Sequence, residues 1–368
     1  MLYHLLPQFS DVHIVFNVFR YLSFRSAGAV VTALLVAFVV GPPVIRRLAD
    51  MRVGQVVRES GPESHLEKAG TPTMGGVIII LAGTLSTLLW ADLTNWYTVL
   101  ALLALLWMGG IGFLDDYLKV VRGHPRGLVA RYKMVGQLVF GVALGTLLLA
   151  RPVSSYPTTW TAVPFFSDWV AAFWPPAFIV FVAIVVSGTS NTVNLTDGLD
   201  GLAAGLTAIV AMTFGVLAYV EGRFDTSAYL GIFHLPGAGE LSVFVSALAG
   251  GAVGFLWFNA HPAEVFMGDT GSLGLGGAIG VVAILLKAEF ILLIAGGVFV
   301  LEGVSVMLQT SYFKYTVRRF GEGRRIFRMA PIHHHFEQLG WPESKVVIRF
   351  WILGIMFAML ALSTLKIR

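Results

Sequence analysis

Long apolar blocks alternate with short polar connections along nearly the whole chain. Ten blocks stand out, at roughly 26–45, 74–91, 96–114, 134–150, 169–188, 201–220, 241–260, 270–286, 290–309 and 346–365. Within them the apolar residues run on without the spacing of an amphipathic helix, and a block of about 20 residues crosses a bilayer as a helix. The pattern predicts an all-α, polytopic membrane helix bundle with ten transmembrane helices. No linker is long enough to divide it, so residues 1–368 read as a single integral membrane domain. Only Glu302 in the ninth block and Arg349 in the tenth are charged. A buried carboxylate is costly in a membrane, so Glu302 reads as a structural or helix-break residue of the ninth span, with a catalytic role as the lesser alternative. The segment up to Arg25, with Pro7 and no small-residue cleavage site, reads as an interfacial stretch before the first span.

Composition agrees. The chain is 56% hydrophobic and 12% charged, with a mean hydropathy of +0.78, whereas soluble proteins have about 25% charged residues. Cysteine is absent, which excludes disulfides and thiolate chemistry. The placement of positive charge carries more than its net value of +4. Most Lys and Arg fall in three connections. These hold Arg46, Arg47, Arg52, Arg58 and Lys68; then Lys119, Arg122, Arg126, Arg131 and Lys133; then Lys314, Arg318, Arg319, Arg324, Arg325, Arg328 and Lys345. The positive-inside rule makes these connections cytoplasmic. Both termini are then periplasmic, which requires an even number of spans.

The same connections hold the candidate chemistry. Asp115 and Asp116 are adjacent carboxylates that need a counter-charge, from a divalent cation or from Lys119 one helical turn on; Mg²⁺ suits such oxygen ligands. A solvated acidic helix end is the bland alternative for this motif. In Asn191-Thr192-Val193-Asn194-Leu195-Thr196-Asp197-Gly198-Leu199-Asp200-Gly201, the residues Asn194, Asp197 and Asp200 recur every three positions. Helix capping explains one or two of these polar residues but not all of them. Asn259 through Ser272 contains Phe266 and a Gly-flanked Asp269, suited equally to a tight turn and to a metal or phosphate site. The run His333, His334 and His335 cannot point one way, so at least one should face a site. Lys68 and Thr73 precede the second block, where they read either as phosphate ligands or as an ordinary positive-inside helix entry. Acids with cations on one face fit Mg²⁺-assisted phosphoryl transfer. Basic loops suit one soluble and one lipid-anchored anionic substrate, and no nucleic acid is expected.

The strings GTPTMGG, DDYLK with RGLVARYK, NTVNLTDGLDGLA, PAEVFMGDTGSL and FRMAPIHHHFEQLGWPE, in this order from about Lys68 to Arg349, resemble the phospho-N-acetylmuramoyl-pentapeptide transferase family. That family lies within the polyprenyl-phosphate N-acetylhexosamine-1-phosphate transferase superfamily. PIHHHFE is the narrower signal; the 311–328 stretch fits no fixed pattern. The resemblance implies a bacterial inner-membrane enzyme with its active site facing the cytoplasm. It would convert UDP-MurNAc-pentapeptide and undecaprenyl phosphate into lipid I and UMP with Mg²⁺. It implies Asp269 as the principal Mg²⁺ ligand, Asp115 and Asp116 as the acidic pair assisting the lipid phosphate or metal, and His333 as a catalytic or phosphate-positioning group. Lys68, Gly198, Leu199, Asp200 and Phe266 would surround the uridine. Thr73, Asn191, Asn194, Asp197, Asn259, His334 and His335 would complete the lining. Direct attack of the lipid phosphate on the β-phosphorus is the expected route, with Asp115 available as a base; an aspartyl-phosphate route is the rival. A UDP-GlcNAc-using transferase of the same superfamily is the second reading, and an ion-coupled transporter the remote one. Apolar outer faces also allow a homodimer among membrane lipids.

Overall fold

The computed structural model describes residues 1–51, 70–124, 127–166 and 169–366. Lys68, with Arg52, Arg58 and Arg126, lies outside the described residues. A short helix α1 (Leu2–Leu5) and two 3₁₀ turns lead into α2 (Leu22–Asp50), α3 (Gly76–Trp90), α4 (Trp96–Val120) and α5 (Ala130–Ala150). An antiparallel hairpin of β1 (Trp160–Ala162) and β2 (Val170–Ala172) separates these from α6 (Pro175–Thr196), α7 (Leu202–Glu221) and α8 (Phe224–Leu230). Then come α9 (Glu240–Asn259), α10 (Gly268–Leu285), α11 (Glu289–Ala295), α12 (Gly297–Phe320), α13 (Ile332–Glu337) and α14 (Glu343–Ser363).

Among the described residues, eight helices are long and apolar enough to cross a membrane, and nine if α11 and α12 form one span. The second expected span is the shorter 15-residue α3. The eighth, Gly-rich block is a full helix, α10. The ninth breaks at Gly296, where α11 and α12 meet at 85°, and not at Glu302. Glycine has the highest backbone freedom and helix-ending tendency in this run, whereas Glu302 sits inside regular helix.

Helices α9 and α10 form the buried centre. α10 packs on α4 and α6, and α9 on α2, α7 and α3. Lipid offers no hydrophobic drive for helices to associate, so close packing through small residues does that work. A Cβ on Gly112 of α4 would stand 2.1 Å from the Asp269 carbonyl oxygen, and one on Gly76 of α3 would stand 2.1 Å from the Gly271 nitrogen. Only glycine permits these approaches, and they fix the starts of α3 and α10 against the end of α4.

The two ends of the bundle differ. At one end meet the end of α4 and the starts of α10 and α3. At the other, the Met1 ammonium donates to the carbonyls of Leu88 and Leu89, and Lys366 Nζ donates to the Tyr229 carbonyl. Both ends of the described chain therefore lie opposite the acidic cluster. Arg25 and Glu240 form a buried bidentate pair there, at 2.7 and 2.6 Å. Burial pushes the Lys287 ammonium down to about 8, and its Nζ donates to the carbonyls of Pro157, Thr158 and Trp160. This end is a set of structural staples.

Candidate functional site

Three carboxylates converge at the other end. Asp115, Asp116 and Asp269 offer oxygens that all lie within 4.8 Å of one another. The α-helical spacing puts Lys119 one turn after Asp115, and their side chains form an ion pair. Lys133, from the first turn of α5, reaches Asp115 Oδ2 at 3.1 Å and Asp269 Oδ2 at 2.6 Å. Lys119 Nζ stands 3.4 Å from the same Asp269 oxygen. Two ammonium groups thus bridge two acids from separate helices. The Leu128 N–H donates to Asp115 Oδ1 at 2.7 Å, and Asp115 is fully buried.

Asp116 has a different environment. Its Oδ1 accepts from the Asp269 N–H at 3.1 Å; its Oδ2 accepts from the Thr270 N–H at 2.8 Å and the Thr270 hydroxyl at 2.7 Å. These are the unpaired donors of a helix start. Asp116 caps α10 across a sequence gap of over 150 residues, and so positions Asp269. Asn194, on the last turn of α6, donates to Asp269 Oδ1 at 2.9 Å and to Ser272 Oγ at 2.8 Å.

The entry to α3 forms the floor. Phe266 N–H donates to the Pro72 carbonyl, and the Gly75 and Gly76 N–H groups donate to the carbonyls of Phe266 and Met267, each at 2.8 Å. This ribbon brings Thr73 beside Gly268, whose φ of +72° sets the turn into Asp269. Asp197, just past α6, faces Gly268. Burial, then the charges of Asp269 and Asp116, raise its carboxyl to about 8.

The remaining expected residues divide between a second cluster and internal ties. Asp200 is buried away from the three acids, with Oδ2 at 3.1 Å from His261 Nδ1 and 3.2 Å from the Ala263 N–H. Its own N–H donates to Glu343 Oε1 at 2.7 Å, at the start of α14. Asn259 spends both amide atoms on the fold, accepting from the Gly201 N–H and donating to the Val265 carbonyl. Asn191 donates to Gln137 Oε1 and the Ser187 carbonyl, tying α6 to α5. Leu199 is a buried core residue.

The three histidines part company, as their adjacency requires. His333 is fully buried with Nδ1 3.0 Å from Glu302 Oε2. His334 Nδ1 is 2.6 Å from Glu337 Oε2, and His335 Nδ1 accepts from the Arg328 N–H at 3.1 Å. A Cβ on Gly198 would lie 2.4 Å from His333 Nε2 and 3.4 Å from His334 Nε2. Gly198 is therefore the point where the α6–α7 loop meets α13.

Sequence reasoning placed Lys133 as added positive charge near the acidic pair, where the structure has it, but did not single out Ser272, His261 or Glu343 as contributors to these clusters. Lys133 had a visible signal, its charge one helical turn before a polar Gln137 in an otherwise apolar block. Glu343 and His261 had none beyond being polar residues at helix ends.

The acids suit a hard cation: their donors are carboxylate oxygens, and in this structure lysine ammonium groups supply the charge that three clustered acids demand. Residues 97–287 match the family model described as Glycosyl transferase family 4. Residues 68–80 match phospho-N-acetylmuramoyl-pentapeptide-transferase signature 1. The chain is 55% identical to the phospho-N-acetylmuramoyl-pentapeptide-transferase of Gemmatimonas aurantiaca and 54% identical to that of Desulfatibacillum aliphaticivorans, in both cases over 100% of each chain. Against the same-named protein of Koribacter versatilis it is 50% identical, over 96% of this chain and 95% of the relative. The chain belongs to the phospho-N-acetylmuramoyl-pentapeptide-transferase family.

Proposed function

We propose that this membrane protein transfers phospho-MurNAc-pentapeptide from UDP-MurNAc-pentapeptide to undecaprenyl phosphate, giving lipid I and UMP. Family membership at this identity supports the reaction. The observation that carries the site is the meeting of Asp115, Asp269, Asn194, Lys119 and Lys133 at one end of the bundle.

In the proposed reaction, an oxygen of the lipid phosphate attacks the β-phosphorus. The new P–O bond forms as the bond to UMP breaks, and the electron pair leaves with the UMP phosphate. Lys119 and Lys133 hold the anionic groups in line, while Asp115 and Asp269 hold the two ammonium groups in place. Asp116 keeps α10 seated so that Asp269 faces the lysines. Asp269, with Asp115 beside it, would hold Mg²⁺. The ion would neutralise charge on the diphosphate when bound. A phosphate monoester has a second pKa of about 6, so the lipid phosphate is largely dianionic at neutral pH and needs little help from a base. His333, His334, Gly198 and Asp200 form the neighbouring wall, proposed to receive the nucleotide along with Lys68 and Phe266.

Counting α3 and the bent α11–α12 pair each as one crossing gives ten spans. With the basic connections inside, the acidic end then faces the cytoplasm and both termini the periplasm. The test is UMP release by the purified protein. It should require UDP-MurNAc-pentapeptide, a polyprenyl phosphate and Mg²⁺ together. Turnover with UDP-GlcNAc instead would favour the other branch of the superfamily. UMP release without the lipid would overturn direct transfer.

A further inference from the structure

We infer that Glu302 is the positioning residue for His333, holding the hydrogen on Nδ1 and so presenting Nε2 to the Gly198 loop. This rests on the reading of His333 as a group of the transferase site.

Glu302 lies in α12, within two turns of the bend at Gly296, and is fully buried. A carboxylate in an apolar bundle is costly unless it is paired. Among the described residues, the hydrogen-bond partner of its carboxylate is His333 Nδ1, at 3.0 Å. Ser305 bonds the Glu302 backbone carbonyl and leaves the carboxylate alone.

His333 is equally buried, at the first turn of α13. Among the described residues, its Nε2 has no hydrogen-bond partner. That nitrogen points at Gly198, where a Cβ would stand 2.4 Å away. Gly198 follows Asp197, which faces Gly268 and the acidic cluster. The imidazole thus spans from a carboxylate inside the bundle to the loop that borders the site.

An ionised carboxylate only accepts hydrogen bonds, so Nδ1 carries the hydrogen in this pair. Nε2 is then the nitrogen left for the site, and the ring cannot exchange its two nitrogens without leaving the carboxylate unpaired. Carboxylates that hold a ring N–H in this way fix both tautomer and ring orientation. Glutamine at 302 keeps the volume but can donate or accept, so it removes the choice of tautomer while preserving the packing.

The experiment measures UMP release by the full-length protein as wild type, E302Q, H333A and E302Q/H333A, with the thermal midpoint of each. If Glu302 acts through His333, E302Q lowers kcat by at least about tenfold. The KM values and the thermal midpoint should change little, and E302Q should have no further effect in the H333A background. An equal loss from E302Q in both backgrounds overturns the inference and makes Glu302 a packing residue. Wild-type turnover in H333A would instead remove His333 from the reaction, a failure of the site reading and not of the pair. Nitrogen-15 NMR of the wild-type histidines, with His333 assigned by its loss in H333A, tests the pair even if E302Q does not fold. A protonated Nδ1 is expected, and an unprotonated Nδ1 overturns the inference whatever the activities.

Discussion

Asp116 caps the helix that carries Asp269: its two oxygens take the N–H groups of Asp269 and Thr270 together with the Thr270 hydroxyl. Two acids that look equivalent in sequence therefore differ in task. Removing a buried acceptor from such donors costs about 1–3 kcal/mol. D116A should lower the thermal midpoint clearly more than D269A does, while both lose activity. Melting curves in one detergent check this; equal midpoints would argue against the cap.

Lys133 stands 2.6 Å from Asp269 and 3.1 Å from Asp115. Removing that charge should make the acidic cluster a better cation site and a poorer phosphate site. K133M should bind Mn²⁺, used as a spectroscopic stand-in for Mg²⁺, more tightly than wild type in paramagnetic resonance titrations without substrate. Its UMP release should fall by at least about tenfold, as expected when a charged contact to a transferring phosphate is lost. EDTA should abolish release by the wild type, and added Mg²⁺ should restore it.

Asp197 titrates at about 8 because of burial and the nearby acids, against an ordinary 3.8. The folded chain thus holds this proton at pH values where the unfolded chain has lost it. The stability Asp197 contributes is present below about pH 4 and is lost as pH rises toward 8. In EDTA, D197N should gain thermal stability over wild type progressively across that window, with the difference smallest at the acid end. A difference that is flat with pH would contradict the shift.

G112A tests the closeness of α4 and α10. Its Cβ would meet the Asp269 carbonyl oxygen at 2.1 Å, so one backbone has to move. Overpacking of this kind costs about 1–3 kcal/mol. It should also move Asp115 from Asp269, so activity should fall further than in G110A, whose Cβ meets nothing. Paired melting and turnover measurements on the two variants would show it.

At the far end, R25A leaves Glu240 buried without its bidentate partner. Breaking a buried pair from one side costs about 3–5 kcal/mol. The yield and thermal midpoint should drop, while turnover per folded molecule should stay near wild type.

Much of this was legible in the sequence. Apolar block length gives the helices, and the clustering of Asp115, Asp116, Asn194 and Asp269 near polar connections points to the candidate site that the structure brings together. The misses have local causes. Glu302 drew attention as the charge in its block, but the bend lies at Gly296, because a paired carboxylate need not disturb a helix and glycine pairs do. Asp116 could not be told from Asp115, since a cap on α10 depends on which helix start lies opposite. Asp200 shares a three-residue spacing with Asn194 and Asp197, yet α6 ends at Thr196 and Gly201 turns the chain at φ +80°. The regular spacing does not carry onto one helical face, and Asp200 joins His261 and Glu343 instead. Neither partner is near it in sequence.

The glycine contacts at Gly76 and Gly112 leave no slack between the backbones that present Thr73, Asp115 and Asp269. These groups sit on a stiff frame, and a ligand has to conform to their spacing. A stiff mould rewards a stiff key. Compounds aimed at this end of the bundle should gain more from being locked into one shape than from extra contacts, and resistance by subtle reshaping of the frame should be rare, because the residues that set it have no smaller substitute.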